Sequence, residues 1–265
     1  MSEPTSAPTS RGWSSEPVPP ARRSQTLASS DLPAGPVLII GAHPDDIDAS
    51  SAGCTIAWRA RGVSVTWCVV TDGQAGGSED SVDRAEIPAI RRREERAAAE
   101  LCGVDDVVFL GWRDGEVTDS TALRRELVRT IRRCEPALVL CHTPERDWER
   151  VYQWHPDHLA VGAATLAAIY PAARNPYAYP ELREAGLEPH VVAETWLYGA
   201  PYPNLFVDIT AQADRKLSAL GRHASQQDAG GGLVDGARRG GQARAGQAGL
   251  PDGSAAESFQ RLVTG

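Results

Sequence analysis

Short apolar runs alternate with longer stretches whose apolar positions recur at helical spacing over most of this chain. The runs at residues 37–40, 65–71, 107–110 and 137–141 are nearly continuous in aliphatic residues and cysteine, which predicts strands buried on both faces. Between them the periodicity predicts helices near 53–61, 88–102 and 121–133. Another helix is expected to open at His155-Pro156-Asp157-His158 and run to about Tyr170, since proline suits a first turn that needs no N–H from it. Short strands near 191–197 and 205–208 and a helix near 211–223 complete the pattern. Strands separated by helices of this length predict βαβ units and a mostly parallel sheet with helices on both faces.

The two ends fall outside this rhythm. Residues 1–34 are rich in Pro, Ser and Ala and predict a disordered arm. Residues 35–227 carry the periodic pattern and predict one α/β domain. Residues 228–265 are rich in Gly, Ala and Arg and predict a flexible segment, with a short helix near 255–262.

Charge and composition narrow the classes of function. A net charge of −8 argues against nucleic-acid or anionic-membrane partners. No apolar run reaches transmembrane length, and the Ser/Pro/Thr-rich start lacks the apolar stretch of a signal peptide, so a cytoplasmic protein is expected. The five cysteines include no CxxC pair and mostly sit in apolar segments, which predicts buried thiols in a reducing compartment.

The candidate chemistry lies just past the first run. Open α/β sheets keep their ligands at the carboxyl ends of their strands. A nucleotide binder would place a GxGxxG loop there; this chain has none and places His43-Pro44-Asp45-Asp46 instead. Carboxylates repel phosphate but suit a divalent cation. His155 and His158, three apart at a helix start, share one face. Either cluster alone has a plain reading, such as an N-capping aspartate. Together, each beyond a predicted parallel strand, they predict one metal site, and catalytic zinc takes three His or Asp/Glu ligands with one position left open.

These two motifs, with Val69-Val70-Thr71-Asp72-Gly73, Arg91-x-x-Glu94, Phe109-Leu110-Gly111 with Asp114-Gly115, and His223-Ala224-Ser225-Gln226, resemble the PIG-L/LmbE-like zinc N-deacetylases over about residues 37–227. The fold this resemblance implies is a Rossmann-like three-layer α/β sandwich. It implies one Zn2+ per subunit on His43, Asp46 and His158, with Fe2+ as the alternative. It implies Asp45 as general base, His155 as the group facing the oxyanion, Asp157 as the residue orienting His155, and Arg91 and Asp114 as holders of sugar hydroxyls. Ile47-Asp48 stands where many members carry glutamate directly after the second aspartate, which bears on subgroup and substrate. The implied reaction is removal of an N-acetyl group from an N-acetylglucosamine-containing small molecule. The alternatives are an amidase acting on a bulkier acyl group, as mycothiol-conjugate amidases do, and a 2-His-1-carboxylate iron enzyme. The implied partner is a small amino sugar, and a homo-oligomer is compatible with the pattern.

Other singled-out residues have plainer readings. His142 reads first as a loop histidine and second as a lining group of the site; His190 and His223 read as surface or core. The charged stretch from Arg91 to Arg96 reads as a solvated helix face. Trp148, Tyr152 and Trp154 suit either a sugar-stacking wall or ordinary packing. Asp147 and Arg150 read as loop charges.

Overall fold

A computed structural model describes residues 24–29, 31, 33–77, 83–149, 155–227 and 232–265. Its strands are β1 (Gln25–Ala28), β2 (Val37–Gly41), β3 (Val65–Thr71), β4 (Asp106–Trp112), β5 (Leu138–His142), β6 (Glu194–Tyr198), β7 (Leu205–Asp208) and β8 (Ala256–Val263). Its helices are α1 (Asp46–Arg59), α2 (Ile87–Cys102), α3 (Thr121–Cys134), α4 (Pro156–Ala167), α5 (Pro180–Glu184), α6 (Ala213–Leu220) and α7 (Gly232–Gln247). The strands form one sheet in the order β1-β7-β8-β6-β5-β2-β3-β4. Every pairing is parallel except those of β8, which runs antiparallel to both β6 and β7.

The sheet is covered on both faces, as the aliphatic runs require. Along β2, Val37 and Ile39 enter one core while Leu38 and Ile40 enter the other. The first core holds Trp58 of α1, Ala98 of α2, Trp67, Trp196 and Phe259. The second is filled by Leu123, Leu127 and Ile131 of α3 and Val161 of α4. The chain runs from β2 to β3 to β4 on one side, then returns to lay β5 against the other side of β2. The gap between β2 and β5 is therefore the point where strand order reverses, and side chains beyond these two strand ends share one crevice.

Three expectations change. The first helix begins at Asp46, well before residue 53, so the second aspartate of the motif lies inside its first turn. The segment expected to be flexible carries α7 and β8, and the short helix expected near 255–262 is the strand β8. The arm expected over 1–34 contributes β1, paired with β7; residues 1–23 lie outside the described set. Helix α7 escaped the pattern because what it buries is small, Gly241 and Ala245. Ala256 to Leu262 has helix-forming composition, yet β6 and β7 offer it two open edges, and pairing outweighs propensity. Among the described residues no helix is long and apolar enough to cross a membrane. Cys54, Cys68, Cys102 and Cys141 are buried free thiols, and burial raises each of their pKa values.

Candidate active site

Gly41 ends β2, and the chain turns sharply into α1 through Ala42–Asp45. Asp46 Oδ2 ties this turn together by accepting the backbone N–H groups of Ala42 at 3.0 Å and His43 at 2.7 Å. Asp46 Oδ1 lies 3.2 Å from His158 Nε2, from the first turn of α4. His43 Nδ1 lies 3.2 Å from the same nitrogen and 3.4 Å from Asp46 Oδ2. One ligand atom each from His43, Asp46 and His158 thus fall within 4.8 Å of one another. Two imidazoles and one carboxylate are a donor set for a catalytic divalent cation.

The other nitrogen of His43 faces a second carboxylate pair. Its Nε2 lies 3.1 Å from Asp114 Oδ1 and 3.2 Å from Asp157 Oδ2. Burial alone would lower the His43 pKa, but Asp114, Asp157 and Asp46 raise it to about 12. A field that holds a proton so firmly on one imidazole also suits a metal cation. His43, Asp114, His155 and Asp157 form a further group able to hold a cation, sharing His43 with the first.

Asp157 was expected to orient His155, but the structure brings it to His43. Its Oδ2 is 3.9 Å from His155 Nδ1, and its oxygens accept Gly115 N–H at 2.7 Å and Val117 N–H at 3.2 Å. What orients His155 is the backbone: Asp157 N–H donates to His155 Nδ1 at 3.2 Å. That bond leaves the proton of a neutral ring on Nε2. His155 is partly exposed and its ring centre lies 4.7 Å from that of His43.

Asp45 lies at the N-cap of α1 with φ 108°. A non-glycine residue held there costs on the order of 1–3 kcal/mol and needs surrounding bonds to persist. Burial pushes its carboxyl up to about 6, with Arg91 opposing and Asp46 adding to the rise. For Asp46, burial also pushes upward, but His158 and His142 hold the carboxyl well below its usual range. The two adjacent aspartates are thereby driven apart in acidity, one toward accepting protons near neutrality and one toward permanent charge.

Arg91, expected to hold sugar hydroxyls, is buried at 3 % exposure with three donors engaged by the protein. Nη1 donates to Gly73 O at 2.8 Å, and Nη2 to Pro44 O and to Asp45 Oδ2 at 3.1 Å. The guanidinium lies so close to the glycine loop that a Cβ at Gly73 or Gly76 would sit 2.2 or 2.4 Å from Nη1. A side chain at either position would collide with the guanidinium, and Gly73 also holds a φ of 61°. Asp114 accepts Ala75 N–H at 3.1 Å and is 9 % exposed. His43, Asp45, Asp46, Ala75, Gly76, Arg91, Asp114, His155 and His158 line one open cleft of about 380 Å³.

Some residues of this region were misjudged from sequence. His142 is buried, stacks on His158 at 4.0 Å between ring centres, and reaches Asp46 Oδ2 at 3.1 Å. Burial and the neighbouring His158 depress its pKa to about 4, with Asp46 opposing. Glu95, assigned to a solvated face, is fully buried and accepts Asp45 N–H at 3.1 Å. His223, read as surface or core, is a core residue buried on Asp48 at 2.6 Å. Being four residues from Arg91, Glu95 had to share its face, which was the available signal. Glu94 binds Ser225 N and Oγ at 2.8 and 2.6 Å. Trp148 is 75 % exposed; Arg150, Tyr152 and Trp154 lie outside the described residues.

Residues 38–169 match the family PIG-L, GlcNAc-PI de-N-acetylase. The diacetylchitobiose deacetylase of Thermococcus kodakarensis is 33 % identical over 190 residues, covering 72 % of this chain and 69 % of that one. A probable N-acetyl-alpha-D-glucosaminyl L-malate deacetylase 2 of Bacillus cereus is 34 % identical over 201 residues, covering 73 % and 84 %. The solved N,N'-diacetylchitobiose deacetylase of Pyrococcus horikoshii superposes with a TM-score of 0.79 at 29 % identity, covering 86 % of this chain and 83 % of that one. With a motif-bearing sheet end, a shared fold and relatives aligned over most of both chains, this protein belongs to the PIG-L family of de-N-acetylases.

Proposed function

We propose that this protein is a metal-dependent hydrolase that removes the acetyl group from the nitrogen of an N-acetylglucosamine-containing small molecule. The observation that carries the reading is the convergence of His43, Asp46 and His158 beside Asp45 in one cleft. Deacetylases of diacetylchitobiose and of GlcNAc-malate among the relatives support the substrate class.

In this reading His43, Asp46 and His158 hold a zinc ion. All three line the cleft, whereas Asp157 does not and already accepts two backbone N–H groups, so it serves His43 as a carboxylate behind a ligand. When bound, the ion supplies Lewis acidity, polarising the amide carbonyl and acidifying water. Asp45, with its carboxyl raised toward neutrality, takes the proton of the attacking water and returns it to the departing amine. His155 Nε2–H, fixed by the bond to Nδ1, donates to the oxygen of the tetrahedral intermediate. Asp114, at the cleft wall, accepts a sugar hydroxyl.

The test is amine release from N-acetylglucosamine, diacetylchitobiose and GlcNAc-malate by protein stripped of metal and then reloaded with Zn2+ or Fe2+. Turnover that appears only on reloading, with the better metal naming the native ion, is the expected result. Metal-loaded protein that releases no amine from any of them would sink the reading.

A further inference from the structure

The peptide group joining Pro44 to Asp45 is gripped at both ends by one helix. Its carbonyl accepts from Arg91 Nη2, and its N–H donates to Glu95 Oε2 at 3.1 Å. Arg91 and Glu95 stand one helical turn apart on α2, so they face the same way, and both are buried. On the other side of the Asp45 Cα, helix α1 begins, and Asp45 O accepts Ala49 N–H at 3.0 Å. With the peptide plane before Asp45 fixed by α2 and the backbone after it fixed by α1, φ of Asp45 has one value, 108°. That angle sets the direction in which the Asp45 side chain leaves the backbone, and Arg91 Nη2 completes its placement with a bond of 3.1 Å to Oδ2.

The clamp is itself backed. Glu95 Oε2 lies 3.8 Å from His223 Nε2, which binds Asp48 Oδ2 at 2.6 Å. The side chains of Asp48, Glu95 and His223 are fully buried. They draw α1, α2 and the segment after α6 onto one point beneath the cleft.

Resting on the deacetylase reading, we propose that Arg91 and Glu95 are positioning residues that hold the Pro44–Asp45 peptide plane and thereby aim the base. This assigns Arg91 to the chemistry of every substrate rather than to the hydroxyls of one. Neither residue needs to touch the acyl group; both act through Asp45.

The experiment compares Glu95→Met, Glu95→Gln and Arg91→Met on an N-acetylglucosamine conjugate and on a simple acetanilide without hydroxyls, with bound metal measured in each. Glu95→Met should lose about 10²-fold in kcat, the scale of a misplaced catalytic group, with KM and bound metal unchanged. The loss should be the same on both substrates. Glu95→Gln should recover most of it, because its amide oxygen still accepts the Asp45 N–H. Arg91→Met, which releases the carbonyl end, should show the same pattern and serves if Glu95→Met fails to fold. Wild-type kcat in Glu95→Met, equal losses in Met and Gln, or an Arg91→Met loss confined to the sugar would each overturn the proposal. If the wild-type protein hydrolyses neither substrate, the deacetylase reading fails, and a crystal structure of Glu95→Met decides the clamp. Relaxation of Asp45 to negative φ supports it, and an unchanged φ overturns it.

Discussion

Single residues carry the site, and each role has a separable signature. His43→Ala, Asp46→Ala and His158→Ala should each lower bound metal, measured by elemental analysis of the purified variants, because three ligands are the minimum protein set. Near-stoichiometric metal in all three would reject the ligand set. Asp45→Asn should keep its metal and lose about 10²–10⁴ in kcat, the usual cost of a missing general base; wild-type turnover would move the base elsewhere. His223 predicts a pH dependence of stability. Burial lowers its pKa, but Asp48, Glu95 and Asp45 raise it from 6.5 to about 9. A raised folded pKa means the protonated form is favoured by folding, so this stabilisation is complete below pH 6.5 and is lost as pH climbs through 9. The size is on the order of 3 kcal/mol from the shift of the pKa. Thermal melts from pH 6 to pH 10 should show His223→Gln well below wild type at pH 6 and close to it at pH 10. A gap that stays constant with pH would contradict the assignment. At this scale the convergence of His43, Asp46 and His158 was legible in sequence because histidines and aspartates cluster at strand ends. The partners of Arg91 and Asp157 were not, since a hydrogen bond to the backbone of a distant turn leaves no pattern in the chain.

At the scale of elements, legibility followed side-chain size. Strands β2, β3 and β5 announced themselves because each fills two cores with aliphatic residues. Helix α7 and strand β8 did not, because α7 buries Gly241 and Ala245 while β8 buries Glu257 beside Phe259. Small residues also control where α4 sits. Gly162 lies so close to β5 that a Cβ there would meet His142 O at 2.5 Å and Pro144 N at 3.0 Å. Gly162→Ala must therefore push α4, which carries His158, away from the strand that carries His142. Overpacking of this kind costs about 1–3 kcal/mol. The variant is expected to melt lower and to bind metal more weakly, as read by calorimetry and by competition with a chelator. Unchanged metal affinity would mean that α4 moves without moving the site.

Across the whole molecule, β8 is the joint. Among the described residues, β1 and β7 reach the remainder of the sheet only through it. Glu257 accepts Gly53 and Cys54 N–H from α1 at 2.8 and 2.9 Å and the Lys216 ammonium of α6 at 2.7 Å. A chain cut before Ser254 would leave Lys216 buried without its counter-ion, and breaking a buried pair costs about 3–5 kcal/mol. Such a chain should fail to melt cooperatively by circular dichroism, even though every residue of the cleft is present. A sharp, wild-type-like transition would show that β1–β7 and β2–β6 stand without their joint.

The same joint has a consequence for timing. As the chain emerges during synthesis, β1 precedes every other described strand, yet among the described residues its one neighbour is β7, and the other neighbour of β7 is β8, which follows all the rest. The half of the sheet bearing His43, Asp46 and His142 is complete long before the other half can attach. Through that interval the β6 edge and the β7 edge both lie unpaired, and an open edge is a template for another chain. A nascent chain of this protein is thus most exposed to wrong partners after its cleft has been made and before its sheet has been closed.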